Sequence, residues 1–282
     1  MKIIITFLLL TLTNLIALDI TLIPYMAHTS YQDSSKQNSS INGFYTNFKE
    51  PSYSVELNYE NKSLDYNSSD KKLKQTDYTV AYSYLIDDNY RLKTAYHQLS
   101  SNAEKSSKAK IYFAGLQYFK KNRFDLGVDI SYSSYDKTAL ATDIYQAKPY
   151  FGITFGDYKS TMGKYVVKIN TNLFYPKGGD SNSTYVNNSS SYSISIKQFK
   201  GDFHNMISAY KGEELFAVKD NGFSVNNQNE LYTTGYTIST RYTIDEDMGL
   251  KLSYTNEIFR DIDIEIESKL QRYLVLFDYT IR

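Results

Sequence analysis

Residues 123–134 read Arg-Phe-Asp-Leu-Gly-Val-Asp-Ile-Ser-Tyr-Ser-Ser. Phe124, Leu126, Val128, Ile130 and Tyr132 alternate with Asp125, Gly127, Asp129, Ser131 and Ser133. A period of two puts every large apolar group on one face of an extended chain, whereas a 3.6-residue period would scatter them around a helix. The stretch is therefore a strand with one apolar and one polar face, about as long as a tilted strand needs to be to cross a bilayer.

The same pattern recurs outward from this point in both directions. Upstream, Tyr53, Val55, Leu57 and Tyr59 alternate with polar residues, as do Tyr78, Val80, Tyr82, Tyr84 and Ile86. Downstream, one face collects Tyr165, Val167, Ile169, Thr171, Leu173 and Tyr175, and another Tyr232, Tyr236, Ile238, Tyr242 and Ile244. Met248, Leu250, Leu252, Tyr254 and Ile258 form the next, and Tyr273, Val275, Phe277, Tyr279 and Ile281 the last. The chain carries 29 Tyr and 15 Phe but is only 41% hydrophobic, so its apolar residues are spread thinly instead of gathered for a core. That distribution suits a barrel with lipid outside and water inside.

Connections alternate in length. Short links fall near 87–88, 120–122, 156–163, 200–202 and 245–247, and longer polar stretches at 32–41, 100–108, 135–142, 176–189 and 214–230. Short turns on one side and long loops on the other are the outer-membrane pattern, with the short ones periplasmic. Counting back from a final strand at about residues 268–282 gives twelve strands from residue 52 onward. Residues 19–31 rising and 42–49 descending, with a turn at 49–51, add two more. The expected fold is all-β, a single antiparallel transmembrane barrel of about 14 strands, the alternative being 12 strands with an N-terminal arm or plug. Pro24 and Pro149 fall inside proposed strands, where each removes a ladder donor.

Met1-Lys2, the almost unbroken apolar run from Ile3 to Ile16 and the small residue Ala17 form a secretory signal peptide, residues 1–17, with the barrel at 18–282. With 31 basic and 31 acidic residues the formal charge is zero, which gives no reason to expect nucleic acid as a partner. Zero cysteines exclude disulfides and Cys-based metal sites, so an exported chain must be held together in another way, and a closed hydrogen-bonded barrel is one.

These features together resemble the porin-like monomeric barrels of Gram-negative outer membranes. The resemblance covers essentially the whole mature chain, is architectural, and implies location in the outer membrane, in contact with its lipid. Residues 273–282, Tyr-Leu-Val-Leu-Phe-Asp-Tyr-Thr-Ile-Arg, look like the family's C-terminal insertion signal, read by the barrel assembly machinery. That signal ends on an outward aromatic residue in the family, whereas here Ile281 and Arg282 close the chain.

Chemistry-bearing residues are few. The three histidines are His28, His97 and His204. His28 and Ser30 share a strand face, an arrangement a barrel lipase or deacylase could use, but Ser, Thr and Tyr are so abundant that a chance His-x-Ser pair is expected, so no catalytic residue is assigned. His97 reads as a lumen residue, and His204 as interfacial. Asp261, Asp263, Glu265 and Glu267 alternate with isoleucines and form a weak candidate for Ca²⁺; a solvated strand extension explains them better, because calcium loops fold around the ion. No cofactor is implied, and Asn38-Ser39-Ser40 and Asn188-Ser189-Ser190 read as polar loops.

The polar face of each strand is expected to line the lumen. Its basic members are Arg91, Lys93, Arg123, Lys148, Lys164, Lys168, Lys197, Arg241, Lys251 and Arg272, and its acidic members Glu56, Glu60, Asp77, Asp125, Asp129, Glu257 and Asp278. An excess of one sign favours passage of the other, so these residues are the selectivity candidates. About fourteen strands lies between the filled eight-stranded barrel and the open sixteen-stranded one. The expected activity is passive diffusion of ions or small polar solutes, weakly anion-preferring. The alternative is a structural or adhesion barrel with a plugged lumen and working loops.

Overall fold

A computed structural model describes residues 18–67, 69–102, 108–135, 143–177, 187–226, 230–262 and 265–282. The proposed signal peptide lies outside them. Fourteen strands close into one antiparallel barrel. In chain order these are β1 (Asp19–Gln32), β2 (Lys36–Lys49), β3 (Tyr53–Tyr66), β4 (Ser69–Leu85), β5 (Tyr90–Ser101), β6 (Lys108–Lys120) and β7 (Phe124–Tyr135). β8 (Asp143–Gly156), β9 (Lys164–Lys177), β10 (Ser189–Lys200) and β11 (Phe203–Leu215) follow. Two short strands, β12 (Val218–Lys219) and β13 (Ser224–Val225), pair with each other, and β14 (Glu230–Thr243), β15 (Met248–Asp261) and β16 (Ile266–Ile281) finish the wall. β1 closes on β16, with Ile20 opposite Ile281 and Gln32 opposite Lys269, so the first two strands are wall strands and not an arm.

The two faces separate as a period of two requires. Val128 on β7 is 41% exposed and its neighbour Asp129 is 5% exposed, because Asp129 points into the barrel. Outward tyrosines ring the extracellular side of the belt: Tyr59–Tyr78, Tyr96–Tyr112, Tyr132–Tyr145 and Tyr254–Tyr273 have ring centroids 5.2, 5.3, 5.1 and 5.1 Å apart. A second ring lies near the periplasmic turns, including Tyr90–Tyr118 at 5.0 Å and Phe203–Tyr242 at 5.2 Å. Aromatic rings with one polar edge favour both membrane–water boundaries, and the aliphatic band between them faces hydrocarbon.

Four expectations are corrected. The stretch 32–41 is no long loop, since β2 begins at Lys36 and its top pairs with β1 and β3. Asn38-Ser39-Ser40 belongs to that strand; a wall facing water on its inner side tolerates polar residues, so composition alone mimicked a loop. Tyr232 faces inward and is buried, because a bulge between Tyr232 and Thr234 inserts one residue and flips the side chains beyond it. The acidic quartet is not one face of a strand. Asp261 ends β15, Glu265 lies in the connection with φ 55°, and Glu267 is on β16, so a hairpin divides the set; Asp263 lies outside the described residues. Among the described residues no group of three or more His, Cys, Asp or Glu is placed to hold a metal ion.

Each intrastrand proline leaves its mark on one side only. Pro24 pairs with Phe44 on β2, but the β1–β16 ladder skips from Leu22 to Tyr25. Pro149 pairs with Val128 on β7, but the β8–β9 ladder skips from Ala147 to Tyr150. A proline has no N–H to give, so the ladder opens where that donor would have pointed.

Candidate functional site

The β11–β14 connection turns into the barrel. Phe216 takes a positive φ of 51° straight after β11, and the chain descends through β12, a one-turn 3-10 helix at Asp220–Gly222 and β13. Phe216, Ala217 and Val218 are buried, packed on inward side chains that include Leu99, Ile111, Tyr135, Ile144 and Leu231. The Phe216 and Tyr135 rings lie 4.9 Å apart. Gln146 on β8 grips Val218 from both sides: the Val218 N–H donates to its Oε1 at 2.8 Å, and its Nε2 donates to the Val218 carbonyl at 3.1 Å.

The tip of this loop crosses the lumen. Gly222, at φ 94°, holds a backbone conformation that side chains rarely adopt, and an added Cβ would also come within 3.3 Å of that of Ala95. Phe223 meets Tyr45 of β2 edge-on at 5.6 Å. Lys219 Nζ pairs with Glu214 Oε2 at 2.9 Å and Glu257 Oε1 at 3.2 Å. Burial alone would lower the pKa of this ammonium, which sits on the inserted loop and not on a spanning strand; the Glu257 and Glu214 carboxylates outweigh burial and hold it above the ordinary lysine range. Glu214 also accepts from Ser191 Oγ at 2.6 Å and Asn172 Nδ2 at 3.0 Å. Above the loop, Lys36 and Glu230 form a buried ion pair, and Tyr232 Oη donates to Glu230 at 2.6 Å.

Toward the periplasm the lumen opens into a vestibule. One cavity of about 330 Å³ is lined by Arg91, Gln117, Asp125, Lys168 and Lys197, and another of about 360 Å³ by Asn47, Glu56, Arg91, Lys93 and the loop residue Asn221. Several wall charges are paired: Lys148 with Asp129 at 3.1 Å, Lys168 with Asp125 at 3.5 Å, and Arg241 Nε with Asp278 at 2.9 Å. Among the described residues no carboxylate lies within ion-pair distance of Arg91, Lys93, Lys197 or Lys251. Along the β1–β3 wall, Tyr45 Oη donates to Glu56 at 2.8 Å and Tyr25 Oη to Glu60 at 2.9 Å, which holds those carboxylates against the wall.

Of the selectivity candidates, Arg91, Lys93, Lys148, Lys168, Lys197, Arg241, Lys251 and Arg272 sit on inward strand positions. Lys164 opens β9 at the rim, its Nζ 2.8 Å from Asn122 Oδ1. Arg123 does not line the lumen: it belongs to the β6–β7 turn and is exposed, since the strand starts one residue later. His97 is inward but not wet; it is 1% exposed, its Nδ1 2.8 Å from Thr79 Oγ1. His204 stacks edge-on against Phe199 at 5.0 Å near the periplasmic rim. His28 is exposed on the outer face, opposite Ser40 and Tyr273. The inserted loop answers to the plugged-lumen alternative, whereas Lys36, Glu214 and Glu230 were not among the expected lumen residues. The run Leu215-Phe-Ala-Val218 inside an otherwise polar connection was the signal for that loop.

No protein-family model matches the sequence, and no curated protein matches it. Solved structures do. The chain superposes on the CymD monoaromatic hydrocarbon channel with a TM-score of 0.56 at 7% identity, covering 94% of this chain and 88% of that one. It superposes on a bacterial polysaccharide outer membrane secretin with a TM-score of 0.55 at 9% identity, over 93% and 98% of the two chains. The Acinetobacter baumannii outer membrane protein Omp33 gives 0.51 at 8% identity, over 93% and 99%.

The chain has the fold of outer-membrane channel barrels. Its two aromatic rings and the apolar band between them are consistent with a place in the outer membrane.

Proposed function

We propose that this barrel is a porin-like channel for passive diffusion of ions or small polar solutes, narrowed by the inserted β11–β14 loop and weakly anion-preferring. The observation that carries the reading is a set of inward cations toward the periplasm that have no ion-pair partner among the described residues, Arg91, Lys93, Lys197 and Lys251, in a vestibule also lined by Glu56 and by Asp125, which pairs with Lys168. Fixed charge of one sign in a narrow conduit lowers the barrier for the opposite sign. Salt screens such a field over about 10 Å at 0.1 M, so the preference is modest and greatest in dilute electrolyte. Arg91 and Lys93 face the loop tip at Asn221, so a solute passing the constriction passes these charges.

A second reading, a plugged barrel whose extracellular loops do the work, draws support from the apolar packing of Phe216 and Val218. Planar-bilayer recording of the purified protein, beside a variant lacking residues 217–226, separates the two. Conductance in the wild type, rising in the deletion variant, with reversal potentials in a salt gradient on the anion side, supports the channel. Conductance only after deletion supports the plug, and none in either protein overturns the channel.

A further inference from the structure

The extracellular tyrosine ring is broken at β11. Along one row of outward cross-strand neighbours stand Thr171, Tyr192, Lys211 and Thr234; along the next, toward the periplasm, stand Ile169, Ile194, Ala209 and Tyr236. β11 thus places Ala209 and Lys211 where its neighbours place Tyr236 and Tyr192. Beside them the β8–β9 ladder gap leaves the flat ring of Pro149 on the outer face. The small side chains open a groove of about 810 Å³ on the lipid-facing wall, with Phe151, Ile169 and Ile194 along it and Tyr192, 65% exposed, standing over it.

Lys211 caps the groove at the level of the extracellular ring. It is exposed, and no carboxylate among the described residues pairs with it, Glu213 on the same face included. A lysine on the lipid face is costly unless its ammonium reaches the headgroup layer, which the stem of Lys211 allows at this height. The site thus joins an apolar trough to a single cation at the outer boundary.

We infer that this groove holds a phosphate-bearing, multiply acylated glycolipid of the outer leaflet, an acyl chain in the trough and a phosphate on Lys211. The leaflet follows from the position of Lys211 on the extracellular side, and the charge from its lack of a protein partner. The inference is independent of whether the lumen conducts.

The test uses the folded full-length barrel in detergent, titrated with bisphosphorylated lipid A, its dephosphorylated form and phosphatidylglycerol, with bound lipid read by native mass spectrometry. The wild type should prefer bisphosphorylated lipid A to the dephosphorylated form by about fivefold, the factor one lysine supplies near an anionic surface. Lys211→Gln should abolish the preference and keep the remaining binding. Ala209→Phe, which fills the trough, should lose binding of both forms. Heat-modifiability should show both variants folded. Equal binding of the two forms by the wild type, or equal binding by all three proteins, overturns the site. Binding of phosphatidylglycerol as tight as lipid A overturns the glycolipid assignment, and an Ala209→Phe-sensitive dimer formed without lipid gives the groove to a second copy of the chain.

Discussion

Lys219 and Glu257 meet at 3.2 Å inside the barrel, joining the inserted loop to the wall of β15. Glu257 is only 8% exposed and Glu214, the second partner of Lys219, 2%; Tyr210 donates to the first and Ser191 and Asn172 to the second, and Lys219 is the cation within ion-pair distance of both. Removing one member of a buried pair leaves an uncompensated charge behind. Lys219→Met should therefore weaken docking of the loop by about 3 kcal/mol. The expected readout is larger or more frequent openings in single-channel recordings. Unchanged conductance would show that the apolar contacts of Phe216 and Val218 hold the loop unaided.

The Lys36–Glu230 pair at the extracellular end obeys the same asymmetry. Lys36→Met alone should destabilise the barrel by about 3–5 kcal/mol in denaturant unfolding, by stranding Glu230. The double variant Lys36→Met with Glu230→Leu should recover most of that loss, because an apolar pair of similar volume needs no desolvation. A double variant as unstable as the single one would assign the pair a role beyond mutual neutralisation.

Val128 lies midway along the outward face of β7, between Phe124 and Tyr132. Val128→Arg should cost about 2–4 kcal/mol, the price of a cation near the bilayer midplane. The wild type and the variant would be compared by urea unfolding in lipid vesicles. Equal stability would mean that this face does not meet hydrocarbon.

Phe277 and Tyr279 are outward on β16, 37% and 42% exposed. Replacing both with Ser should lower the amount of heat-modifiable folded protein in outer membranes, through lost lipid contact and a weakened terminal signal. Undiminished folded protein would remove the terminal strand from any part in assembly.

Lys197 lines the vestibule and Lys251 is inward on β15, and among the described residues neither has a carboxylate within ion-pair distance. Lys197→Glu with Lys251→Glu should move the reversal potential toward cations, most in dilute salt, where screening is least. Lys168→Glu should act less cleanly, since it also removes the cation 3.5 Å from Asp125 and leaves that carboxylate with Gln117 alone among the described residues. A wild-type preference for cations would count against the anion reading.

What the sequence determined by itself was everything that depends on a period of two. The alternation through Phe124, Val128 and Tyr132 sets which face meets lipid, because it is a property of each strand taken alone, whereas the two aromatic rings took shape only when the register aligned tyrosines of neighbouring strands. The number of strands followed from counting such segments, and the inward direction of Lys148, Lys168 and Arg241 from their parity. Local signals failed where one residue changes the parity, as at the bulge beside Tyr232, or where a polar strand such as the top of β2 looks like a loop. Only the tertiary structure decided where the 214–230 connection goes. Its direction depends on Gln146, Glu257 and Tyr45, residues up to 178 positions away in the chain, which closure of the barrel brings around one lumen. The strand pattern knows nothing of that convergence, because it arises from the circumference of the wall and not from any neighbouring residue.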